Sequence, residues 1–278
     1  MNPPATDHFT HGVTLAYRTY GQGPLPLLAF HGFGRTGADF EVLEETLGTR
    51  CTLYAFDLHF HGESPAYHHR VDEPFAPEEI AAYFAAFMDS LGTARAALLG
   101  YSLGGRVALG LLEHLPERIS QAFLVAPDGL KPRPWYRTLL TTRLGRLAYG
   151  RFVEQPGAVR ATIRLLGALR LMDGRMRRFL LDQTASHAKR QLVRDVWLSY
   201  RLLEPDLARM AAGVLKEGIP VHLFFGARDK VIPPKLGWRL RQHAADRVTQ
   251  RDLPYGHLLL KPELGKAIAE LLPAPTTA

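Results

Sequence analysis

A single cysteine in 278 residues excludes an intramolecular disulfide, so the fold does not depend on an oxidising compartment. That residue, Cys51, lies in the apolar run RCTLYAFD and reads as a buried structural thiol. No apolar run approaches the roughly 18 residues that a membrane-spanning helix requires. The opening MNPPATDHFTHG lacks the basic start and apolar stretch of a secretory signal, so the expected location is cytoplasmic. The glycine-rich stretch GYSLGGRVALG lacks G-x-G-x-x-G spacing and has no P-loop lysine, so it does not read as a dinucleotide or nucleotide site, and no cofactor is expected. Internal repeats are missing too, and the only biased segment is the short PAPTTA tail.

What is present has the composition of an ordinary globular protein, long enough for one large α/β domain with an insertion. The formal charge of +7 is uneven. Residues 131–210 hold 17 Lys/Arg against 6 Asp/Glu, a net of +11, which leaves the rest of the chain at −4. Basicity is therefore a regional property. No recognition fold accompanies it, so nucleic acid is not an expected partner.

Short apolar runs alternate with helical patterns through VTLAYRTYG, LPLLAFHGFG, ADFEVLEETLG, CTLYAFDLHFHGES, PEEIAAYFAAFMDSLG, RAALLGYS, LGGRVALGLLEHLP and ISQAFLVAP. Runs buried on both faces and separated by crossover lengths predict a mostly parallel sheet of about eight strands flanked by helices. From Lys131 to Gly213 the rhythm changes to helices alone, and strands resume at IPVHLFFGARD and RVTQRDLP before a final helix within LLLKPELGKAIAELL. The expected division is a core of residues 1–130 and 214–278 with a helical insertion at 131–213.

The chemistry gathers at strand ends. Gly100-Tyr101-Ser102-Leu103-Gly104 matches G-x-S-x-G with an expected strand before it and a helix after it, the setting in which the motif presents a serine nucleophile. A serine hydroxyl is a poor nucleophile unless a base takes its proton and an acid orients that base. Asp229 follows one later strand and His257 the last, in the order Ser, Asp, His. In FHGFG, Gly32 permits close backbone approach, and the Phe33 N–H joins the Leu103 N–H as candidate oxyanion donors. Asp128, in LVAPDGL, is the alternative acid, since its loop can also reach the histidine.

Together HGFG, DLHFHGES, GYSLGG, FFGARDKVIPP and YGHLLLKP resemble the α/β-hydrolase superfamily over nearly the whole chain. The resemblance implies Ser102 as nucleophile, Asp229 as acid, His257 as base, Phe33 and Leu103 as oxyanion donors, and His31, Gly32, Gly100 and Gly104 as supporting residues. It also implies that the insertion is a helical cap placed after the sixth strand. Phe60 stands where relatives usually carry a glycine. A serine at the elbow separates the chain from the dehalogenase and epoxide hydrolase branches, which use aspartate there.

The expected activity is hydrolysis of a carboxylic ester or similar acyl bond in a small, in one reading anionic, substrate. Hydrolysis of a carbon–carbon bond in a β-diketone by the same triad, or a ligand-binding module with a vestigial triad, are the alternatives. His59, His61, His68 and His69, near Asp57 and Glu63, raise the question of a zinc site. The strand-end loop already accounts for Asp57 and His61, so no metal is expected. Arginines of the basic insertion read as a solvated face, or else as contacts to an anionic substrate, lipid headgroup or membrane surface.

Overall fold

Apolar runs become eight strands of one sheet in the computed structural model, which describes residues 5–131, 140–171 and 174–272. They are β1 (Asp7–His11), β2 (Val13–Tyr20), β3 (Leu25–Phe30), β4 (Cys51–Phe56), β5 (Ala96–Tyr101), β6 (Ile119–Val125), β7 (Val221–Gly226) and β8 (Val248–Leu253). The spatial order is β1-β2-β4-β3-β5-β6-β7-β8. β1 pairs antiparallel with β2, and β2 with β4, while every other pairing is parallel. The architecture is the expected α/β one. β1 was not among the expected strands: DHFTH is nearly all exposed, so it carries no buried face for a period-2 pattern to reveal.

Parallel neighbours need crossovers, and helices supply them. The helices with both ends among the described residues are α1 (Glu44–Leu47), α2 (Pro77–Ser90), α3 (Leu103–His114), α4 (Arg143–Glu154), α5 (Gly157–Ala168), α6 (Gly174–Gln183), α7 (His187–Ser199), α8 (Leu207–Glu217), α9 (Trp238–Arg241) and α10 (Pro262–Ala269). With helices on both faces, β5 and β7 are buried at all six positions. ADFEVLEETLG and PPKLGWRLRQHA are more broken than their spacing suggests, each being a 3-10 turn followed by one short helix.

Phe30 and Phe56 stack on adjacent strands at 5.9 Å, and Phe84 and Phe87 of α2 meet Phe56 edge-on at 5.1 and 4.8 Å. Such pairs contribute about 0.5–1.5 kcal/mol each beyond their area burial. This packing fixes the carboxyl ends of β3 and β4, where the chemistry-bearing loops begin.

The chain divides into two compact units, one of residues 1–66, 76–132 and 203–278, the other of residues 67–75 and 133–202. This differs from the expected division at both borders. Residues 67–75 belong with the helices: Phe75 N–H donates to Ser199 O (2.9 Å), and Arg201 donates to Val71 O (2.6 Å) and Asp72 O (3.0 Å). α8 belongs with the sheet, since it buries Met210, Ala211 and Val214 and packs along α3. Asp206 starts it by accepting from the Ala208 and Arg209 N–H groups. Residues 132–139, where part of the expected WYRTLLTTRLGRLAYGRF helix falls, lie outside the described residues. Among the described residues, no helix is long and apolar enough to cross a membrane.

Candidate active site

Ser102 sits between β5 and α3 at φ 53°, ψ −112°, a backbone region costing on the order of 1–3 kcal/mol for a residue with a Cβ. The turn is held from both sides. Ser102 N–H donates to Val125 O on the neighbouring strand, and its carbonyl accepts from Gly105 N–H and Asp128 N–H. The glycines are there because backbone occupies the space of their side chains. A Cβ on Gly100 would fall 2.6 Å from Gly104 O, and one on Gly104 would fall 2.0 Å from Phe30 O. Strand and helix can cross this closely only without them.

His257 Nε2 lies 3.1 Å from Ser102 Oγ, and its Nδ1 lies 2.7 Å from Asp229 Oδ2. The other carboxylate oxygen, Oδ1, accepts from the Val231 and Ile232 N–H groups at 2.8 and 3.1 Å. One edge of the carboxylate is thereby held by backbone and the other faces the imidazole. The Asp229 side chain is fully buried while that of His257 keeps 22% exposure. The loops that carry Asp229 and His257 are tied together through Ala227 N–H to Leu253 O and Arg228 N–H to Tyr255 O. Gly226 makes that approach feasible, because a Cβ there would lie 2.1 Å from Gly256 O. His257 stands in the loop ahead of α10 rather than at the start of that helix.

Two buried histidines shape the HGFG loop. His31 Nε2 accepts from Leu58 N–H (2.9 Å) and its Nδ1 donates to Gly32 O (2.7 Å). His61 Nε2 accepts from Gly34 N–H (3.0 Å), and its Nδ1 donates to His59 O (3.0 Å). Each ring must be neutral to accept at Nε2. Burial lowers both pKa values, His31 to about 3 with the neighbouring His61 as the next cause. Gly104 N–H donates to His31 O at 2.9 Å, which links this loop directly to the serine turn. Phe33 and Leu103 are thus carried on the two segments that this bond joins. Gly32 has the same spatial logic: a Cβ would press on the Tyr101 ring at 3.1 Å and on Ser102 Cβ at 3.3 Å.

Phe60 adopts φ 69°, the left-handed region that favours glycine. The loop keeps the conformation a glycine would permit, at a cost of about 1–2 kcal/mol.

The His257 Nδ1 partner is Asp229, and the Asp128 carboxylate is engaged elsewhere. Its Oδ2 accepts from Arg106 Nη2 at 2.6 Å and its Oδ1 from Gly129 N–H at 2.9 Å, within a buried ion pair. The other acidic candidates are similarly engaged. Asp57 accepts from Arg18, Gly37 N–H and Glu63 N–H, and Glu63 accepts from Arg18 and Thr6. His68 pairs with Asp195 in the helical unit at 3.0 Å, and His69 stacks edge-on with Tyr67. Among the described residues, no three His, Cys, Asp or Glu side chains group closely enough to hold a metal ion.

Tyr101 is the site residue that sequence reasoning passed over. Its hydroxyl donates to the His257 backbone carbonyl at 2.8 Å, and its ring lies 5.5 Å from the imidazole. Burial raises its pKa, so the hydroxyl stays a donor. Its place as the variable residue of G-x-S-x-G was the available signal, but nothing in the chain pairs it with position 257.

A family model described as the alpha/beta hydrolase fold matches residues 26–263. The pimeloyl-[acyl-carrier protein] methyl ester esterase of Chromobacterium violaceum is 30% identical over 243 residues, covering 85% of this chain and 88% of its own. A thermophilic esterase from Thermogutta terrifontis superposes with a TM-score of 0.68 at 21% identity, over 96% of this chain and 97% of its own. The thioesterase domain of the curacin biosynthetic pathway gives a TM-score of 0.65 at 17% identity, over 97% and 99%. The residues matched run from β3 through the start of α10 and take in the serine turn, the acid loop and the histidine loop, and the chain belongs to the alpha/beta hydrolase fold family.

Proposed function

We propose that the protein is a serine hydrolase that cleaves carboxylic esters through an acyl-enzyme on Ser102. The observation that carries this is the unbroken relay from Ser102 Oγ to His257 Nε2 (3.1 Å) and from His257 Nδ1 to Asp229 Oδ2 (2.7 Å). Both distances are within the reach that proton transfer and orientation require.

In the first half-reaction His257 Nε2 takes the Ser102 proton as Oγ attacks the ester carbonyl. Asp229 keeps the Nδ1–H tautomer and stabilises the imidazolium that forms. Phe33 and Leu103 supply N–H groups to the oxyanion, and Leu103 is the first residue of α3, where the positive end of the helix dipole adds to the effect. Collapse of the tetrahedral intermediate breaks the C–O bond, and His257 returns its proton to the leaving alcohol. Water then gives a proton to His257 and attacks the acyl-enzyme, releasing the acid and restoring Ser102. The relative named as a methyl ester esterase makes simple methyl and aryl esters the first substrates to try.

A fluorophosphonate probe tests the reading directly. Wild type should take one label per chain and lose p-nitrophenyl ester hydrolysis in step, while Ser102→Ala should take none. Absence of label on the wild type, or equal labelling of the variant, would overturn the assignment and leave a binding module with an idle triad. Side-by-side turnover of an aryl ester and a β-diketone separates ester from carbon–carbon cleavage.

A further inference from the structure

The helical unit has a concavity of about 550 Å³ with a chemistry unrelated to the serine site. Its walls are α4, α7 and the turn at residues 71–72, and they carry Arg143, Arg146, Arg151 and Arg194 with a single carboxylate, Asp72. On α4 the positions 143, 146, 147, 150 and 151 fall on one helical face. Three guanidiniums therefore project from one side of one helix, a spacing at which like charges repel. Among the described residues none of Arg143, Arg146 and Arg151 forms an ion pair, and the only acid of α4, Glu154, pairs with His187.

Arg194 is fixed in place by giving Nε and Nη2 to the buried Asp195 Oδ1, at 2.8 and 2.7 Å. Arg146 is steered by donating to Thr141 O at 2.8 Å. The positive field is strong enough to act on a neighbour: after burial, the charge of Arg146 is the next cause lowering the Arg201 pKa. The floor stays open beside Gly150, where a Cβ would meet nothing within 4 Å. Apolar surface adjoins the charges, since Leu147 is 71% exposed at the wall.

We propose that this concavity binds a phosphate ester. Guanidinium forks match phosphate oxygens, and a tetrahedral dianion can accept from several directions at once, as donors on two helices demand. A planar carboxylate would satisfy fewer of the four. The volume exceeds that of a lone phosphate, and Leu147 suits the organic part of an ester.

The test is calorimetric titration of the full chain with inorganic pyrophosphate, alongside co-sedimentation with vesicles containing phosphatidic acid, a lipid phosphate monoester, and with phosphatidylcholine vesicles. Wild type should bind pyrophosphate saturably at one site and more weakly as salt rises. Arg146→Gln should weaken that binding tenfold or more, as should Arg151→Gln, which stands in if the first variant folds poorly. Arg164→Gln on α5 removes the same charge from an exposed position outside the concavity and should change nothing. Vesicle binding that depends on Arg146 identifies the ester as a lipid headgroup; pyrophosphate binding without vesicle binding identifies a soluble ester. No saturable binding of either probe, or equal losses in Arg146→Gln and Arg164→Gln, overturns the proposal.

Discussion

The two units of this chain use their residues in opposite ways. In the α/β unit nearly every polar group of interest is enclosed and held at both ends: His31, Asp57, Asp128 and Asp229 are all under 10% exposed and each makes two or more hydrogen bonds. In the helical unit large apolar side chains such as Leu144 (80%), Leu147 and Leu171 (73%) stand in solvent among arginines. The first arrangement suits chemistry, because a nucleophile, base and acid must keep their geometry within a fraction of an ångström. The second suits recognition by charge and apolar surface, where fixed geometry matters less.

The comparison breaks hardest at the serine. Ser102→Ala should lower kcat for aryl ester hydrolysis by at least about a thousandfold with the melting temperature unchanged. A variant retaining a tenth of the activity would remove the relay from the mechanism. Next in size is the contrast between two buried acids. Asp229→Asn should cost on the order of 10²–10⁴ in kcat with a modest effect on stability. Asp128→Asn should keep most activity but destabilise by about 3 kcal/mol, because it removes the negative charge from the buried Arg106–Asp128 ion pair. If the activity losses come out reversed, Asp128 is the acid.

Acid should affect the α/β unit through His31 and His61. The unfolded chain protonates His31 below about 6.5, whereas the folded chain resists until about 3. The unfolded state therefore binds more protons in that window, and stability falls as pH drops through it, by up to about 1.4 kcal/mol per pH unit for one such group. Thermal melts from pH 7 to pH 4 measure this directly, and a flat profile would contradict it. Smaller again, Tyr101→Phe removes the hydroxyl that holds the His257 carbonyl. It should lower kcat severalfold with KM little changed, while losses in KM alone would point to the pocket instead. The smallest effect belongs to Phe60→Gly, which relieves a left-handed backbone and should stabilise by about 1 kcal/mol if the lost packing does not offset it.

Much of the α/β unit was legible from residue order. Buried strands announce themselves as short apolar runs, and Gly100, Gly104 and Gly226 mark places where backbones must cross. Ser102, Asp229 and His257 could be singled out because each follows a strand end, where a parallel sheet exposes its functional loops. β1 escaped because a strand with no buried face has no pattern to read. The border at 203 escaped because α8 is as amphipathic as the helices before it, and helical periodicity alone does not say which surface a helix packs on.

Residue order by itself determined the fold class, the G-x-S-x-G turn and a basic helical block, since these depend on local spacing and composition. Only tertiary structure decided between Asp229 and Asp128 as the imidazole's neighbour, tied Tyr101 to a residue 156 positions away, and gathered four of many arginines around one concavity. Those outcomes depend on which distant segments meet, and a hydrogen bond or an ion pair is set by a few ångströms of distance that periodicity does not encode.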